Sequence, residues 1–114
     1  VNELNELTFT ASATDSDLPV DGLSFSLDAT SIAAGMSIDA ASGAFSWTPT
    51  EGQDGDHTVT VTVTDDGAGT LSDNETLTVS VGDLNSAPVL DAIGDQSVNE
   101  LNELTFTASA TDSD

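Results

Sequence analysis

The fold class predicted by the sequence is an all-β sandwich of seven short strands, and three observations predict it. Apolar residues alternate with Ser and Thr in short runs, which is the pattern of strands with one buried face. Gly, Pro and Asp interrupt these runs at short intervals, as turn residues do. Helical periodicity is weak along the whole chain. Together these features favour two packed sheets.

The alternation places the strands in chain order. Residues 7–13 give the first of them, in which Leu7 and Phe9 alternate with Thr. Residues 57–64 give the clearest pattern, with three Val inward and four Thr outward. Pro49 ends one strand because proline has no N–H to donate to a sheet. The remaining strands are predicted at residues 23–27, 36–38, 45–47, 77–81 and 88–96.

Acidic loops separate several of these strands, and the inward positions predict the core. The loops lie at residues 15–19, 51–56 and 65–67, and a polar linker closed by Pro88 follows at residues 83–88. The alternation turns Phe45 and Trp47 inward, which favours the core over a sugar-stacking surface for both rings. The predicted core comprises Leu7, Phe9, Leu23, Phe25, Leu27, Ile38, Phe45, Trp47, Val59, Val61, Val63, Leu77 and Val79.

An internal repeat defines the domain organisation. Residues 1–17 recur without a change as residues 98–114, at an offset of 97 residues, which is about the length of one small sandwich domain. The chain is therefore interpreted as one period of a tandem array with the start of the next. We expect a sandwich module at residues 1–85 that lacks its own first strand. Residues 86–114 would form the linker and the first strands of the next repeat.

Only one copy of the repeat can fill a given position in the sandwich. We expect residues 1–17 to supply the second strand of the visible module. Residues 88–114 are then expected to pair with a neighbouring chain by strand complementation, or to begin the next module.

The charge of the chain excludes several classes of partner. The sequence has no Lys or Arg, 21 Asp and Glu and one His, so its formal net charge is −21. Without cations the chain cannot replace the counterions of nucleic acid, and it has no attraction to anionic membrane surfaces. Because such a charge opposes the compact state, we expect neutralisation by bound divalent cations or by high salt. Cysteine is absent, so disulfides and thiolate metal sites are excluded.

No catalytic constellation is present in the sequence. His57 is the single histidine, and no nucleophile or acidic partner accompanies it in a recognisable motif. The sequence therefore predicts a protein that is not an enzyme.

Short motifs recur in a fixed order along the chain. They are Ala87-Pro88-Val89, Val98-Asn99-Glu100, Leu104-Thr-Phe106 and Asp112-Ser-Asp114, together with Phe45-Ser-Trp47-Thr-Pro49 and Asp65-Asp66-Gly67. In this order they resemble the bacterial cadherin-like and dystroglycan-type cadherin-like repeats and the related Ig-like repeats of large bacterial surface proteins. The resemblance implies a seven-stranded Ig-like or cadherin-like Greek-key sandwich. It also implies an extracellular, calcium-binding extender module of an RTX-type adhesin.

The resemblance further implies a set of Ca²⁺ ligands. In such repeats the Glu of an Asn-Glu pair, an Asp-x-Asp pair and an Asp-x-Asn linker bind the ion, and the strand order sorts the acidic loops to the two ends of the module. The base would carry Glu3, Asp83 and Asn85. The top would carry Asp15, Asp17, Asp65 and Asp66. The second copy of the repeat would supply Glu100, Asp112 and Asp114.

Two features leave the ligand set open. The base loop lacks the Asp-Arg-Glu of cadherins, and Glu51, Asp54 or Asp56 are the candidates to replace it. Acids in such loops also form turns by accepting hydrogen bonds from their own backbone, which is the alternative for each of them.

The sequence thus predicts a structural repeat on a bacterial cell surface, stiffened by calcium where consecutive modules meet. Its expected partners are the neighbouring repeats of the same chain, without nucleic acid or direct membrane contact. The alternative function is a carbohydrate-binding module or a homophilic cell-adhesion module. That alternative requires a lateral aromatic or concave site.

Overall fold

The computed structural model describes residues 1–16 and 22–114, which form two compact units. Unit 1 is Val1–Leu84 and unit 2 is Asn85–Asp114. The predicted ligand Asp17 lies outside the described residues.

Unit 1 is built from two antiparallel sheets of three strands each. The first sheet has the order β1-β4-β3, with β1 at Leu7–Thr10, β3 at Ser37–Ile38 and β4 at Ala44–Trp47. The second has the order β2-β5-β6, with β2 at Leu23–Leu27, β5 at Gly55–Asp65 and β6 at Ser72–Val81. The predicted all-β sandwich is confirmed, and β1 comes from the first copy of the repeat.

The core of unit 1 lies between the two sheets. Phe45 and Trp47 on β4 and Val59 on β5 are each at most 2% exposed. Phe9 stacks on Phe45 with ring centroids 4.3 Å apart. Both aromatic residues of β4 are therefore core residues, as the alternation predicts. The cluster of buried apolar residues comprises Leu27, Met36, Phe45, Trp47, Val59, Val79 and Val81.

One short helix, α1 at Ala29–Ala33, occupies a stretch where the sequence predicted no regular element. Asp28 caps its N-terminus by accepting a hydrogen bond from the Ser31 backbone N–H at 3.1 Å. Asp28 also accepts one from Thr60 N at 2.9 Å, which ties the helix to β5. Five residues are too few for a helix that is stable alone, so tertiary contacts stabilise α1.

Unit 2 contains two short strands that pair with each other. They are β7 at Val89–Leu90 and β8 at Ala110–Thr111, and they run antiparallel. The strand predicted at residues 88–96 is thus formed over two residues only. Residues 104–107, which are identical to β1, form no strand. Among the described residues, no helix has the length and apolar character of a membrane span.

Candidate metal centre

Three chain segments meet where β6 ends, and backbone hydrogen bonds hold them together. Glu3 N donates to Gly82 O at 2.9 Å, and Leu4 N donates to Pro49 O at 2.8 Å. Gly82 N in turn donates to the carbonyl oxygen of Val1 at 2.8 Å. Leu4 adopts the left-handed region with φ 62°, which turns the chain away after these contacts. The three segments supply one carboxylate each, from Glu3, Glu51 and Asp83.

Glu3 is the buried member of this group, which we call the acidic cluster. Its side chain is 1% exposed, although acidic side chains are almost never fully buried unless paired. Its Oε1 accepts a hydrogen bond from Gln53 N at 2.7 Å. Its Oε2 is buried and has no hydrogen-bond partner among the described residues. A buried carboxylate oxygen without a partner is costly, which makes this atom the most informative one in unit 1.

The electrostatics of the acidic cluster are unfavourable without a cation. One carboxylate oxygen from each of Glu3, Glu51 and Asp83 lies within 4.8 Å of the others. A pair of like charges about 4 Å apart costs about 1 kcal/mol in water and about 4 kcal/mol at an effective dielectric of 20. Asp83 is exposed and Glu51 is half-buried, so the repulsion energy between these two carboxylates lies nearer the value for water. The sequence offers no Lys or Arg to offset the repulsion.

Gln53 organises the loop that presents Glu51. Its Oε1 accepts a hydrogen bond from Thr50 N at 2.8 Å, and its Nε2 donates to Ala34 O at 3.1 Å. Its backbone carbonyl lies 2.7 Å from His57 Nε2, so the single histidine is engaged in the loop. Sequence reasoning missed Gln53 because its partners are brought together only by the fold.

Trp47 is connected to the acidic cluster through the same loop. Trp47 Nε1 donates to Ala34 O at 3.2 Å, the carbonyl that also accepts from Gln53 Nε2. Its ring lies edge-on to His57, with centroids 4.8 Å apart. The side chain is 2% exposed, so the single tryptophan is a buried reporter of this loop.

The donor set of the acidic cluster fits a hard divalent cation. All three side chains offer carboxylate oxygens, which Ca²⁺ binds in sets of about 6–8 together with carbonyls and water. No His or Cys contributes, so the set is unlike a zinc site. Of the predicted ligands, Glu3 and Asp83 lie in this cluster. Glu51 joins them from among the three residues considered for the base loop.

The predicted ligands of the upper loops have other surroundings. Asp65 Oδ1 accepts hydrogen bonds from Gly67 N at 3.2 Å and from Leu71 N at 3.0 Å. Asp66 Oδ1 accepts one from Gly22 N at 2.7 Å. These bonds close the turn between β5 and β6 and hold it against the start of β2. Within the described ranges, Asp15, Asp65 and Asp66 do not form a group of three acids with the spacing of the acidic cluster.

The predicted ligands of unit 2 have exposed side chains. Asp114 accepts a hydrogen bond from Ser86 N at 2.5 Å, and Asp112 accepts one from Asp114 N at 3.2 Å. Asn85 donates its side-chain amide to Ser86 O at 3.3 Å. Glu100 is exposed, whereas Glu3, its counterpart in the first copy, is buried.

Two acids outside the cluster have a perturbed pKa, and each serves a turn or a cap. The hydrogen bond from the Ser31 hydroxyl, followed by that from Thr60 N, lowers the pKa of Asp28 below its usual value. Hydrogen bonds from the backbone and side chain of Ser42 lower the pKa of Asp39. Both groups stabilise local structure and neither belongs to the acidic cluster.

The fold defines the class of protein, and the comparison with known families defines its membership. Two antiparallel sheets have the orders β1-β4-β3 and β2-β5-β6, and Asn2 forms a parallel bridge with Gly82 just beyond β6. This arrangement is an immunoglobulin-like β-sandwich. The chain belongs to the family described as Putative Ig domain, whose profile matches residues 1–82. The resemblance to Ig-like repeats is thereby confirmed. Domains of this family are structural repeats, typically non-enzymatic and typical of extracellular or surface proteins. No curated protein matches the chain.

Proposed function

We propose that this chain is an extender repeat of a bacterial surface adhesin, and that Ca²⁺ held by Glu3, Glu51 and Asp83 stiffens it. The observation that carries the proposal is the buried Oε2 of Glu3, which lacks a protein partner within the described residues. Its carboxylate lies beside two more acids in a chain without Lys or Arg. A divalent cation would satisfy the orphaned oxygen and cancel the repulsion together.

The position of the acidic cluster suggests how an ion would stiffen the repeat. Glu3 lies on the first segment of unit 1, Glu51 on the loop between β4 and β5, and Asp83 just beyond β6. An ion bound to all three would therefore fix the incoming and outgoing chain against the body of the sandwich. Without the ion, repulsion would loosen the same segments. The ion would thus restrain the segments at which the chain enters and leaves the module.

An extracellular setting fits a site of this kind. Ca²⁺ sites of extracellular modules have dissociation constants of about 10⁻⁴ to 10⁻³ M, within reach of three carboxylates completed by carbonyls and water. Millimolar Ca²⁺ is about one to ten times such a dissociation constant, so binding stabilises the folded state by about 0.4–1.4 kcal/mol. For a unit of this size that corresponds to a rise in the melting temperature of about 2–11 °C.

A calcium titration of the full chain tests the proposal. We expect millimolar Ca²⁺ to raise the melting temperature relative to EDTA. We also expect it to change the fluorescence of Trp47, because Trp47 and Gln53 donate hydrogen bonds to the same carbonyl oxygen, that of Ala34. Asp83→Asn and Glu3→Gln should each weaken Ca²⁺ binding by at least about tenfold, which is about 1.4 kcal/mol. Asp73→Asn is the matched control, since it removes one exposed charge of unit 1 outside the acidic cluster.

Two results would contradict the calcium site. One is an identical melting temperature in EDTA and in millimolar Ca²⁺. The other is an equal loss of affinity in Asp83→Asn and Asp73→Asn, because the response would then follow total charge and not the cluster. Small-angle scattering of the chain with and without Ca²⁺ tests the stiffening separately. The distribution of interatomic distances should become narrower when Ca²⁺ is present.

A further inference from the structure

An open groove lined by both polar and apolar residues runs along unit 1 between β1 and β6. Its volume is ≈ 630 Å³. Its apolar lining includes Phe9, Ala13 and Leu77, and its polar lining includes Asp73, Asn74 and Glu75. β1 is one edge strand of the first sheet and β6 is one edge strand of the second, so the sandwich is open along this side in the described residues. An open strand edge beside a groove that contains apolar side chains is a template for one more strand.

The residues that follow β1 have the pattern of a strand without a strand partner. Ala11 and Ala13 are half-buried, while Ser12 and Thr14 are exposed, so the alternation of β1 continues past its end. Ala11 N donates to Gly43 O at 2.8 Å. Within the described part of the chain, the backbone groups of residues 12–14 make no hydrogen bond. We call residues 11–14 the acceptor edge.

Unit 2 contains the same edge with a strand paired to it. Residues 108–111 are identical in sequence to the acceptor edge. There Val89 of β7 pairs with Thr111 and Leu90 pairs with Ala110. Asp91 N extends the pairing by donating to Ser109 O at 2.9 Å. Unit 2 thus shows which segment of this chain this edge accepts, in which direction and in which register.

We propose that residues 87–93 of one copy of the chain, the donor segment, add as a strand to the acceptor edge of a second copy and fill the groove of its unit 1. This inference does not depend on the proposed calcium site. The occupant is fixed by the repeat, since the two edges are identical and one of them already carries β7.

The repeat also sets the register of the exchange. Transferred to the acceptor edge, the pairing places Leu90 opposite Ala13 and Val89 opposite Thr14. Directly paired residues of antiparallel strands lie on the same face of the sheet. Leu90 therefore shares the inward face of Ala13 and enters the groove, whereas Val89 stays on the outward face with Thr14. In unit 2 both side chains are more than 60% exposed, so both are accessible before docking.

The exchange has a modest opposing cost within the donor. β7 and β8 pair over two residues only, and isolated two-stranded ribbons are marginal in water. The charge of −21 on each copy opposes association, so salt should favour it. One strand of this length buries less surface than a standard interface, which predicts weak, micromolar-to-millimolar association.

Sedimentation equilibrium of the full chain in EDTA and about 0.5 M NaCl, where the Debye length is only a few ångströms, tests this inference. EDTA keeps the result independent of the acidic cluster. We expect association that increases with concentration. Leu90→Ser should weaken it at least about tenfold, about 1.4 kcal/mol. Val89→Ser should leave it within about twofold, less than about 0.5 kcal/mol. The two substitutions are neighbours on one strand with similar exposure.

A synthetic peptide of residues 85–96 provides a second measurement that needs no folded variant. Added in excess to the wild-type chain, it should shift the chain toward monomer and slow hydrogen exchange of the amides in residues 12–14. The same peptide with Leu90→Ser should do neither. A monomer at every concentration, equal effects of the two Ser substitutions, or a peptide that protects no amide of the acceptor edge would each overturn the inference.

Discussion

Asp28 is the residue that joins α1 to the sheet, through three hydrogen bonds. Its carboxylate accepts from the Ser31 hydroxyl at 2.6 Å, from Ser31 N at 3.1 Å and from Thr60 N at 2.9 Å. The hydroxyl bond is the main cause of its lowered pKa, because it favours the charged form. One side chain thus caps the helix and anchors it to β5.

The lowered pKa of Asp28 predicts a pH-dependent contribution to stability. Its folded pKa lies below the usual 3.8, so its stabilisation is fully present above that pH and is lost as the pH falls below it. We expect Asp28→Ala to cost roughly 1–2 kcal/mol near neutral pH, as the loss of a cap does. The difference from wild type should shrink in urea unfolding experiments below pH 3.8.

Acid also relieves the general repulsion among the acids, so the prediction concerns the difference between two proteins. Asp54→Ala in EDTA is the control, because it removes one exposed carboxylate of unit 1 that caps no helix of the described residues. The difference in unfolding free energy between Asp54→Ala and wild type should not show the decrease below pH 3.8 that is expected for Asp28→Ala. A gap for Asp28→Ala that stays constant into acid would show that the carboxylate charge has no part in the cap.

At the scale of an element, the turn between β3 and β4 holds the end of β1. Gly43 has no room for a side chain: its φ is +76°, and a Cβ added there would clash with the carbonyl oxygen of Ala11. Ala11 N donates to Gly43 O at 2.8 Å, so the two backbones are in direct contact. This close approach requires glycine at the position.

Gly43→Ala should therefore destabilise unit 1 more than a positive φ alone does. Gly52 has a similar φ of +80° but open space around it, so Gly52→Ala carries only the conformational cost of a left-handed L-residue, about 1–2 kcal/mol. We expect Gly43→Ala to cost about 1–3 kcal/mol beyond that, from the clash. Chemical denaturation in EDTA measures both. Equal costs would mean that the backbone of residue 11 moves aside freely.

The two copies of the repeat show how far an element depends on its partner. Residues 7–10 are a strand because they pair with β4, in the register Leu7 to Trp47 and Phe9 to Phe45. Residues 104–107 have the same sequence and no such partner, and they form no strand. The alternation of apolar residues predicts the potential for a strand in both copies. Only the presence of a second strand decides whether the ladder forms.

The short helix α1 could not be predicted from the sequence pattern for a related reason. Residues 29–33 are only five residues, which is too short a segment to display an amphipathic helical period. The helix forms because Asp28 receives Thr60 N from β5, a residue distant in the sequence. Neither the N-cap role of Asp28 nor its second partner, Thr60, was predicted from the sequence.

At the scale of the whole molecule, the uniform sign of charge governs the response to ions. The chain carries −21 with no basic side chain except one histidine. Raising NaCl shortens the Debye length from roughly 14 Å near 0.05 M to about 3 Å at 1 M, which screens the repulsion. We expect the melting temperature in EDTA to rise with NaCl and then to level off.

Calcium should exceed this screening effect. At equal ionic strength, millimolar CaCl₂ should raise the melting temperature further than NaCl does, and Asp83→Asn should remove the excess while keeping the NaCl response. Differential scanning calorimetry of both proteins in both salts measures this. If NaCl and CaCl₂ at equal ionic strength act alike, neutralisation is diffuse and the acidic cluster has no special role.

The open edge of unit 1 links the repeat to possible assemblies of the whole chain. A donor segment that arrives from a preceding repeat would satisfy the acceptor edge within one array. An edge left open would take the same segment from another chain. Because both cases use one sequence and one register, intramolecular stacking and exchange between chains would compete.

The sequence by itself determined the local features of this protein. Both copies of the repeat make the same turn: Asn5 N donates to Asn2 O at 3.3 Å, and Asn102 N donates to Asn99 O at 3.2 Å. Leu101 repeats the positive φ of Leu4 within a few degrees. The alternation of the strands and the charge were likewise readable, because each depends on neighbouring residues or on composition alone.

Only the tertiary structure decided which acids come together. Glu3 is buried and Glu100 exposed although their neighbours in sequence are the same, because Pro49, Gln53 and Gly82 surround the first and not the second. The choice of Glu51 over Asp54 or Asp56 depends on how the β4–β5 loop folds around Gln53. Burial and proximity are properties of chain segments distant in sequence, so a pattern of neighbouring residues cannot specify them.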